Sequence, residues 1–351
     1  MRTFNYSFLE NEPLPASVAS YMMAIERNKT LSDTFKVSHP KVFDNLTKIA
    51  KIQSVKASNA IEGIVTTDKR IESIINKETE PLNHNEMEIA GYRDALEVIH
   101  RDYAIMDIDE RQLLLLHEIL LSHTQNPSRG RWKQNNNLII ERDGQGNRRV
   151  RFVPVTAIDT PKAMEQMILS FLEARSNSNI NHLLLIPCFI LDFLCIHPFE
   201  DGTGRLSRLL TLLLLYKSGY DVGKYVSIEN IINKNKGSYY QKLYESSSLW
   251  AENKNSYWPF IQHFLLVLSL AYNELSDRYN IIKDKKLSKS ERVEETIKRT
   301  LGKISKEEIH HFWPDIALNT IEMELSRLLK EGLIEKVGET KSASYIWKGG
   351  S

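Results

Sequence analysis

Two apolar runs bracketing a glycine-bearing loop constrain this chain more than any other feature. INHLLLIPCFILDFLCI (180–196) and LSRLLTLLLLYKSG (206–219) both read as helices. Neither reaches the ~18 apolar residues needed to cross a bilayer, and the first also carries Pro187 and Asp192. They belong to the core of a helical protein, with HPFEDGTGR (197–205) strung between them.

That loop poses an electrostatic problem. Arg205 and Arg208 fall in or near the first turn of the second helix, where the aligned peptide dipoles already concentrate positive charge. Cations are disfavoured there unless an anion joins them. The neighbouring residues suggest which anion. Gly202, Thr203 and Gly204 allow the backbone to approach a ligand closely, and a helix start makes an anion-binding corner. The two arginines, three apart, are expected on one side of the helix, and guanidinium forks match phosphate oxygens in pairs. Asp201 adds a hard oxygen ligand suited to Mg²⁺. His197 titrates near neutrality and is the candidate base. Phe199, apolar in a polar loop, is expected to point inward and pin it. Together these residues describe a site for a nucleotide polyphosphate, a divalent metal and a base. The G-x-x-x-x-G-K-[ST] pattern of a P-loop is absent.

Other classes are excluded by composition. The 351 residues carry a net charge of +1, so no global field drives the chain to nucleic acid or an anionic membrane. Cys188 and Cys195, both in the apolar run, build neither a disulfide framework nor a CxxC metal site. MRTFNYSFLENEPLP lacks the pattern of a signal peptide, and the expectation is a cytoplasmic protein with no membrane partner.

The rest of the chain reads as mainly α. Residues 1–35 are expected to be a loose opening segment with short helices. HPKVFDNLTKIAKIQSVKASNAIEG (39–63) has helical spacing at Val42, Leu46, Ile49, Ile52 and Val55, with Gly63 as the stop. Residues 86–100 and 108–122 give two further amphipathic helices. NNLIIERDGQGNRRVRFVPV (136–155) is β-rich around a D-G turn and predicts a hairpin. DTPKAMEQMILSFLEARS (159–176) predicts a helix with an Asp or Thr cap and Pro161 at its first position. Residues 236–279 complete a helical domain. KDKKLSKSE (283–291) reads as a charged hinge, and beyond it a short helix, a longer helix (317–332) and two strands have the sequence shape of a winged helix. Three regions follow: an N-terminal helical region over 1–110, a core over 111–282, and a linker with a winged-helix domain over 283–351.

HPFEDGTGRLSR resembles the signature of the Fic (Fic/Doc) family, H-P-F-x-[DN]-G-N-G-R-x-x-R, with Thr203 in place of Asn as the one departure. The resemblance implies a Fic-type helical core that transfers AMP from ATP to a Ser, Thr or Tyr hydroxyl of a target protein or of itself, with release of pyrophosphate. Carried across, His197 would deprotonate the hydroxyl and Asp201 would hold Mg²⁺ on the α- and β-phosphates. Gly202, Thr203 and Gly204 would cradle the phosphates with help from Arg205, and Arg208 would reach the γ-phosphate. The hairpin would be the flap that aligns an extended target segment by strand pairing. GSYYQKL (237–243) resembles the adenine-pocket segment and nominates Tyr239 and Tyr240. The kinase-like Doc branch has Ala and Lys where this chain has Gly202 and Gly204, which disfavours phosphorylation.

A second charge is also misplaced. Glu62 ends the helix before Gly63, where a carboxylate meets the negative end of the dipole. Ser58 lies four residues earlier on the same face. SNAIEG resembles the [ST]-x-x-x-E-[GN] inhibitory motif of Fic proteins. By that resemblance the helix over about 42–63 is inhibitory, and Glu62 pairs with Arg208 in place of the γ-phosphate. His117, His123, His310 and His311 lack a carboxylate or Cys constellation and read as structural. The winged helix, mixed in charge, leaves open DNA, a protein partner or a second copy of this chain. Two alternatives to autoinhibited transfer stand beside it: a nucleotide-sensing DNA-binding regulator with a weak Fic core, and a site that also removes AMP.

Overall fold

The computed structural model describes residues 2–142, 148–282, 287–300, 302–338 and 343–348. The expected D-G turn at 143–144 and the start of the hinge at 283–286 lie outside them. In chain order the helices are α1 (Phe8–Asn11), α2 (Ala16–Ser38), α3 (Pro40–Ile61), α4 (Asp68–Ile75), α5 (His84–Asp102), α6 (Glu110–Leu120), α7 (Thr160–Ser176), α8 (His182–Ile196), α9 (Thr203–Lys217), α10 (Ile228–Lys234), α11 (Lys236–Ser247), α12 (Trp258–Ile282), α13 (Lys289–Arg299), α14 (Lys306–Phe312) and α15 (Leu318–Lys330). Strands β1 (Ile139–Arg142) and β2 (Arg148–Phe152) form an antiparallel hairpin before α7. β3 (Ile304–Ser305), β4 (Ile334–Val337) and β5 (Ser344–Trp347) form a small sheet in the order β3-β5-β4. The chain is mainly α, as its periodicity implies, and none of the described helices is long and apolar enough to cross a membrane.

α8 and α9 are the centre. Every residue of α8 from Leu183 to Ile196 is buried, and so is α9 from Arg205 to Tyr216. A helix apolar on all sides must be covered on all sides, and α7, α5, α3 and α12 supply the cover. Asp192 in α8 keeps its place because its buried carboxylate accepts from Tyr6, Trp250 and Tyr257 and faces Arg2 at 3.5 Å. The same cluster ties down the N-terminus. One hydrophobic core runs from Phe4 to Tyr279 and crosses the boundary expected at 110; a second begins at Ile281 and holds the C-terminal domain.

The opening segment departs from expectation. Residues 16–38 form one helix of 23 residues rather than short pieces. Its buried positions are Val18, Ile25, Asn28 and Ser32, so half of the buried stripe is polar and apolar periodicity does not reveal it. Asn28 donates to Asn273 of α12 (2.7 Å), the helix α2 packs against. α4, not foreseen, starts at a Thr67 cap that accepts from the Arg70 amide. α7 begins at Thr160 with Pro161 second; Asp159 makes no capping bond to the helix and accepts instead from Thr156 Oγ1 (2.6 Å).

Beyond 287 the expected short helix, longer helix and two-stranded ribbon are present, with α13 and β3 added. α14 reaches back to the core: the His311 carbonyl accepts from Gln53 of α3 (2.8 Å). The outward face of α15 carries Leu318 and Met323, both exposed. Arg327 is engaged by Glu294, Glu324 and Glu331, and Glu322 by Lys306.

Candidate active site

The loop between α8 and α9 is gripped from several sides. Phe199 is fully buried and stacks on the His117 ring of α6, centroids 3.7 Å apart. His117 Nδ1 accepts the Gly130 amide (3.0 Å), so the proton sits on Nε2, which donates to the Asp201 carbonyl (3.0 Å). Burial pushes this imidazole down to about 4 despite that carbonyl, so the ring stays neutral. His117 is a loop anchor, in keeping with its structural reading. Glu200 accepts from Ser128 (2.7 Å) and Asn135 (3.0 Å), joining the loop to the segment before the hairpin.

His197 follows α8 with φ 50°, in the left-handed region. Burial first, then Lys133, lowers its imidazole to about 4, against the Leu194 carbonyl and Glu62. The ring is therefore unprotonated at neutral pH and can accept a proton. Its Nδ1 is buried without a hydrogen-bond partner of regular geometry.

Gly202 is the N-cap of α9 at φ 79°. Glycine is required there by conformation and by space, since Leu120 Cδ2 stands 3.2 Å from where a Cβ would be. It offers no side-chain cap, which leaves the first N–H groups of α9 to an anion. Thr203, first in the helix and buried, turns its hydroxyl to the Phe199 carbonyl at 3.4 Å, within the loop.

The two arginines part company. Arg208, sixth in α9 and so one turn in, has its Nε on Ser58 Oγ (2.8 Å) and its Nη2 on the Ser58 carbonyl (2.9 Å) and Glu62 Oε1 (2.8 Å). Burial is the largest influence and opposes its charge, but Glu62, Tyr239 and Tyr92 together hold the guanidinium above its ordinary value. Arg205, which the sequence reading sets with the phosphates, has carboxylate partners in this structure. It is 1% exposed and its Nη2 binds Glu88 of α5 (3.0 Å) and Asp201 (3.3 Å). Its reach is into the core, where Glu88, 117 residues away, supplies the counter-charge; no sequence spacing reveals that partner.

Glu62 caps the C-terminus of α3 and lies against the start of α9. A Cβ on Gly204 would overlap the Glu62 carboxylate. Lys236 donates to the Ile61 carbonyl, so a second cation also meets the negative end of α3. A cleft of about 380 Å³ opens in front, lined by His197, Gly204, Arg208, Glu62, Tyr239 and Tyr240 together with Ile139, Ile140, Arg151 and Phe152 of the hairpin. Arg151 donates to the Tyr240 carbonyl and lies 5.4 Å over its ring, which binds the hairpin to α11.

Asp201 is half-exposed. One of its oxygens takes the Gly202 amide (2.6 Å) and Arg205, and the other is left for an outside ligand. Among the described residues no group of three or more His, Cys, Asp or Glu could hold a metal ion. A cation at Asp201 would thus take most of its oxygens from phosphate and water. That donor set fits Mg²⁺, which keeps several waters.

Residues 107–215, which contain the whole loop, α8 and all but the last two residues of α9, match the model of the Fic/DOC family. No curated protein matches the chain. Among solved structures it is similar to a Fic family protein from Desulfovibrio desulfuricans G20 (20% identity, TM-score 0.63, covering 97% of this chain and 98% of that one). It is similar also to a Fic domain containing signaling protein from Bacteroides thetaiotaomicron (17%, TM-score 0.61, 78% and 100%) and to Fic-1 from C. elegans (16%, TM-score 0.57, 75% and 73%). At these identities the likeness is one of fold, and the fold is that of Fic proteins.

Proposed function

We propose that the protein is an autoinhibited adenylyltransferase that moves AMP from ATP to a Ser, Thr or Tyr hydroxyl of a target protein or of itself. Proteins with this domain commonly transfer AMP or other groups to proteins, and the site supports the AMP reading. The observation that carries it is the sharing of Arg208 between Ser58 and Glu62 at the edge of the cleft that His197 faces.

In the proposed reaction the triphosphate lies along the open N–H groups of α9, with its γ-phosphate on Arg208 and the adenine against Tyr239 and Tyr240. Asp201 would hold Mg²⁺, which would supply charge neutralisation at the phosphates. His197, neutral, takes the proton of the target hydroxyl as its oxygen attacks the α-phosphorus. The bond from the α-phosphorus to the bridging oxygen breaks, and pyrophosphate leaves with the electron pair. A target segment would pair with a free edge of the two-stranded hairpin. With Glu62 seated, Arg208 is taken and the productive pose is blocked.

The test is incubation with labelled ATP and Mg²⁺, read by mass spectrometry. Glu62→Gly is expected to raise self-incorporation of AMP, and His197→Ala to abolish it while ATP still binds. A Glu62→Gly protein that incorporates no more than the native one would remove the inhibitory role; transfer by His197→Ala at the native rate would remove His197 from the chemistry.

A further inference from the structure

We propose that Lys133 and Asn137 are positioning residues that hold His197 in its working geometry and join it to the hairpin; the inference rests on His197 being the base in the reading above. The two residues grip four successive carbonyls, three through their side chains and one through a backbone amide. Lys133 Nζ donates to the Ile196 carbonyl (3.1 Å) and its backbone amide to the Pro198 carbonyl (2.9 Å). Asn137 Nδ2 donates to the carbonyls of His197 (3.4 Å) and Phe199 (3.2 Å). Lys133 Nζ also donates to Asn137 Oδ1 (2.8 Å), which locks the pair together and fixes which way the amide points.

This grip answers a cost. A non-glycine residue at φ 50° is strained by about 1–3 kcal/mol and persists only where its surroundings over-determine it. Bonds to the carbonyl before His197, to its own and to the two after it do so. Lys133 itself is placed at a cost: it is 3% exposed, and the partners of its ammonium are a neutral amide oxygen and a carbonyl. A methionine or leucine would fill the same space without that penalty, so packing alone does not account for an ammonium there. Burial lowers it to about 8, which leaves it mostly charged at neutral pH.

The charge has a direction. The groups that face His197 are Lys133 from the segment before the hairpin, Glu62 from α3, Arg208 from α9, Arg151 from β2, and Tyr239 and Tyr240 from α11. Lys133 acts with burial to keep the imidazole neutral, and Glu62 acts against both. Asn137 stands two residues before β1, so a target segment that moves the hairpin pulls on the carbonyls of His197 and Phe199 through one amide.

The experiment uses the full chain in the Glu62→Gly background. Lys133→Met keeps the stem and removes the ammonium; Lys133→Arg keeps a charge; Asn137→Ala removes only the amide. The His197 imidazole is titrated by NMR, its signal assigned by loss in His197→Ala. AMP transfer at saturating ATP and the Kd for ATP are measured alongside. Lys133→Met is expected to raise the His197 midpoint by roughly one pH unit and to lower kcat about 100-fold with the ATP Kd unchanged. Lys133→Arg should recover part of both, while Asn137→Ala lowers kcat and moves the His197 resonance without the same change in midpoint. A His197 signal unmoved in both Lys133→Met and Asn137→Ala overturns the proposal. Should Lys133→Met fail to fold, the Asn137→Ala resonance alone decides, because Asn137 is only half-buried. If no form transfers AMP, the titration still decides this inference, since it needs no turnover, and the failure then belongs to the proposed function.

Discussion

If a γ-phosphate binds Arg208 as proposed, it competes there with Glu62, and the exchange between them has a size that the structure sets. The perturbation is Glu62→Gly, placed in a His197→Ala background so that nucleotide binds without turnover. In the native site Arg208 is 4% exposed and takes Ser58 twice and Glu62 once. Removing one partner of a fully buried pair costs about 3–5 kcal/mol. The Glu62 carboxylate is 34% exposed, and Ser58 still serves the guanidinium, so the solvent-screened cost here is about 1–2 kcal/mol. Glu62 also sits at the negative end of α3, and its removal returns roughly 0.3–1 kcal/mol.

In the proposed competition ATP displaces Glu62 in the native protein and finds Arg208 free in the variant. The net of the two, at most about 1.7 kcal/mol, should tighten its Kd by up to about 15-fold. AMP has no γ-phosphate to compete for Arg208, so its Kd should hardly move. Calorimetric titration with ATP and with AMP, each with Mg²⁺, reads the ratio directly, and thermal melts should show ATP protecting the variant more than its parent. An ATP-to-AMP affinity ratio that Glu62→Gly leaves unchanged would refute competition at Arg208, whatever the variant does to activity.

Stability should fall in mild acid. Burial holds His100, His117 and His197 down to about 4 and His311 to about 3, whereas an unfolded histidine titrates near 6.5. Between those values the unfolded chain binds more protons, so stability declines as pH drops from 6.5 toward 4, with His117 alone worth up to about 3 kcal/mol. Urea midpoints at pH 7, 6 and 5 test this, and a flat profile contradicts it. Gly204→Ala should destabilise the protein by pushing the Glu62 carboxylate off Arg208. The same substitution should cost clearly less in the Glu62→Gly background, and additive losses in that double-mutant cycle would show that the two do not meet. Duplex DNA should bind weakly, because the arginine on α15 is already engaged by three carboxylates; tight binding with a steep salt dependence, read by fluorescence anisotropy, would overturn that expectation.

The sequence makes some of this arrangement legible and hides the rest, for identifiable reasons. The buried helix pair α8–α9, the inward Phe199 and the α3 stop at Gly63 each follow from a local pattern, and the structure has them. Glu62 and Ser58 were nominated by a short motif, and they do lie against Arg208. What stays hidden depends on partners distant in the chain. Arg205 turns to Glu88, Lys133 and Asn137 reach the carbonyls of a loop some sixty residues later, and α2 buries Asn28 against Asn273. Apart from Arg205, none of these polar residues falls in a periodic or motif context, so they look like ordinary surface positions. The partners of Arg205 are hidden for a related reason. Spacing fixes the angle at which a side chain leaves the helix, not the anion it finds there.

The contact between α3 and α9 joins two misplaced charges. Arg208 lies near the positive end of its helix and Glu62 at the negative end of its own, so each is unfavourable where its own backbone places it. Brought together, each supplies the field the other lacks, and the two helix ends, opposite in sign, face one another across Gly204. Such a pair is held by mutual need and not by surplus stability. An anion that satisfies the α9 N–H groups and Arg208 together removes the reason for Glu62 to remain, and a triphosphate has oxygens for both. Ser58 differs, because its hydroxyl and carbonyl grip Arg208 from the interior face of α3 and can stay in place when Glu62 leaves. The guanidinium then keeps its orientation through the exchange. On this reading, release of the proposed inhibition needs only Glu62, the C-cap of α3, to yield, and the contacts of the 22-residue helix itself stay in place: the cation already points where the phosphate must arrive.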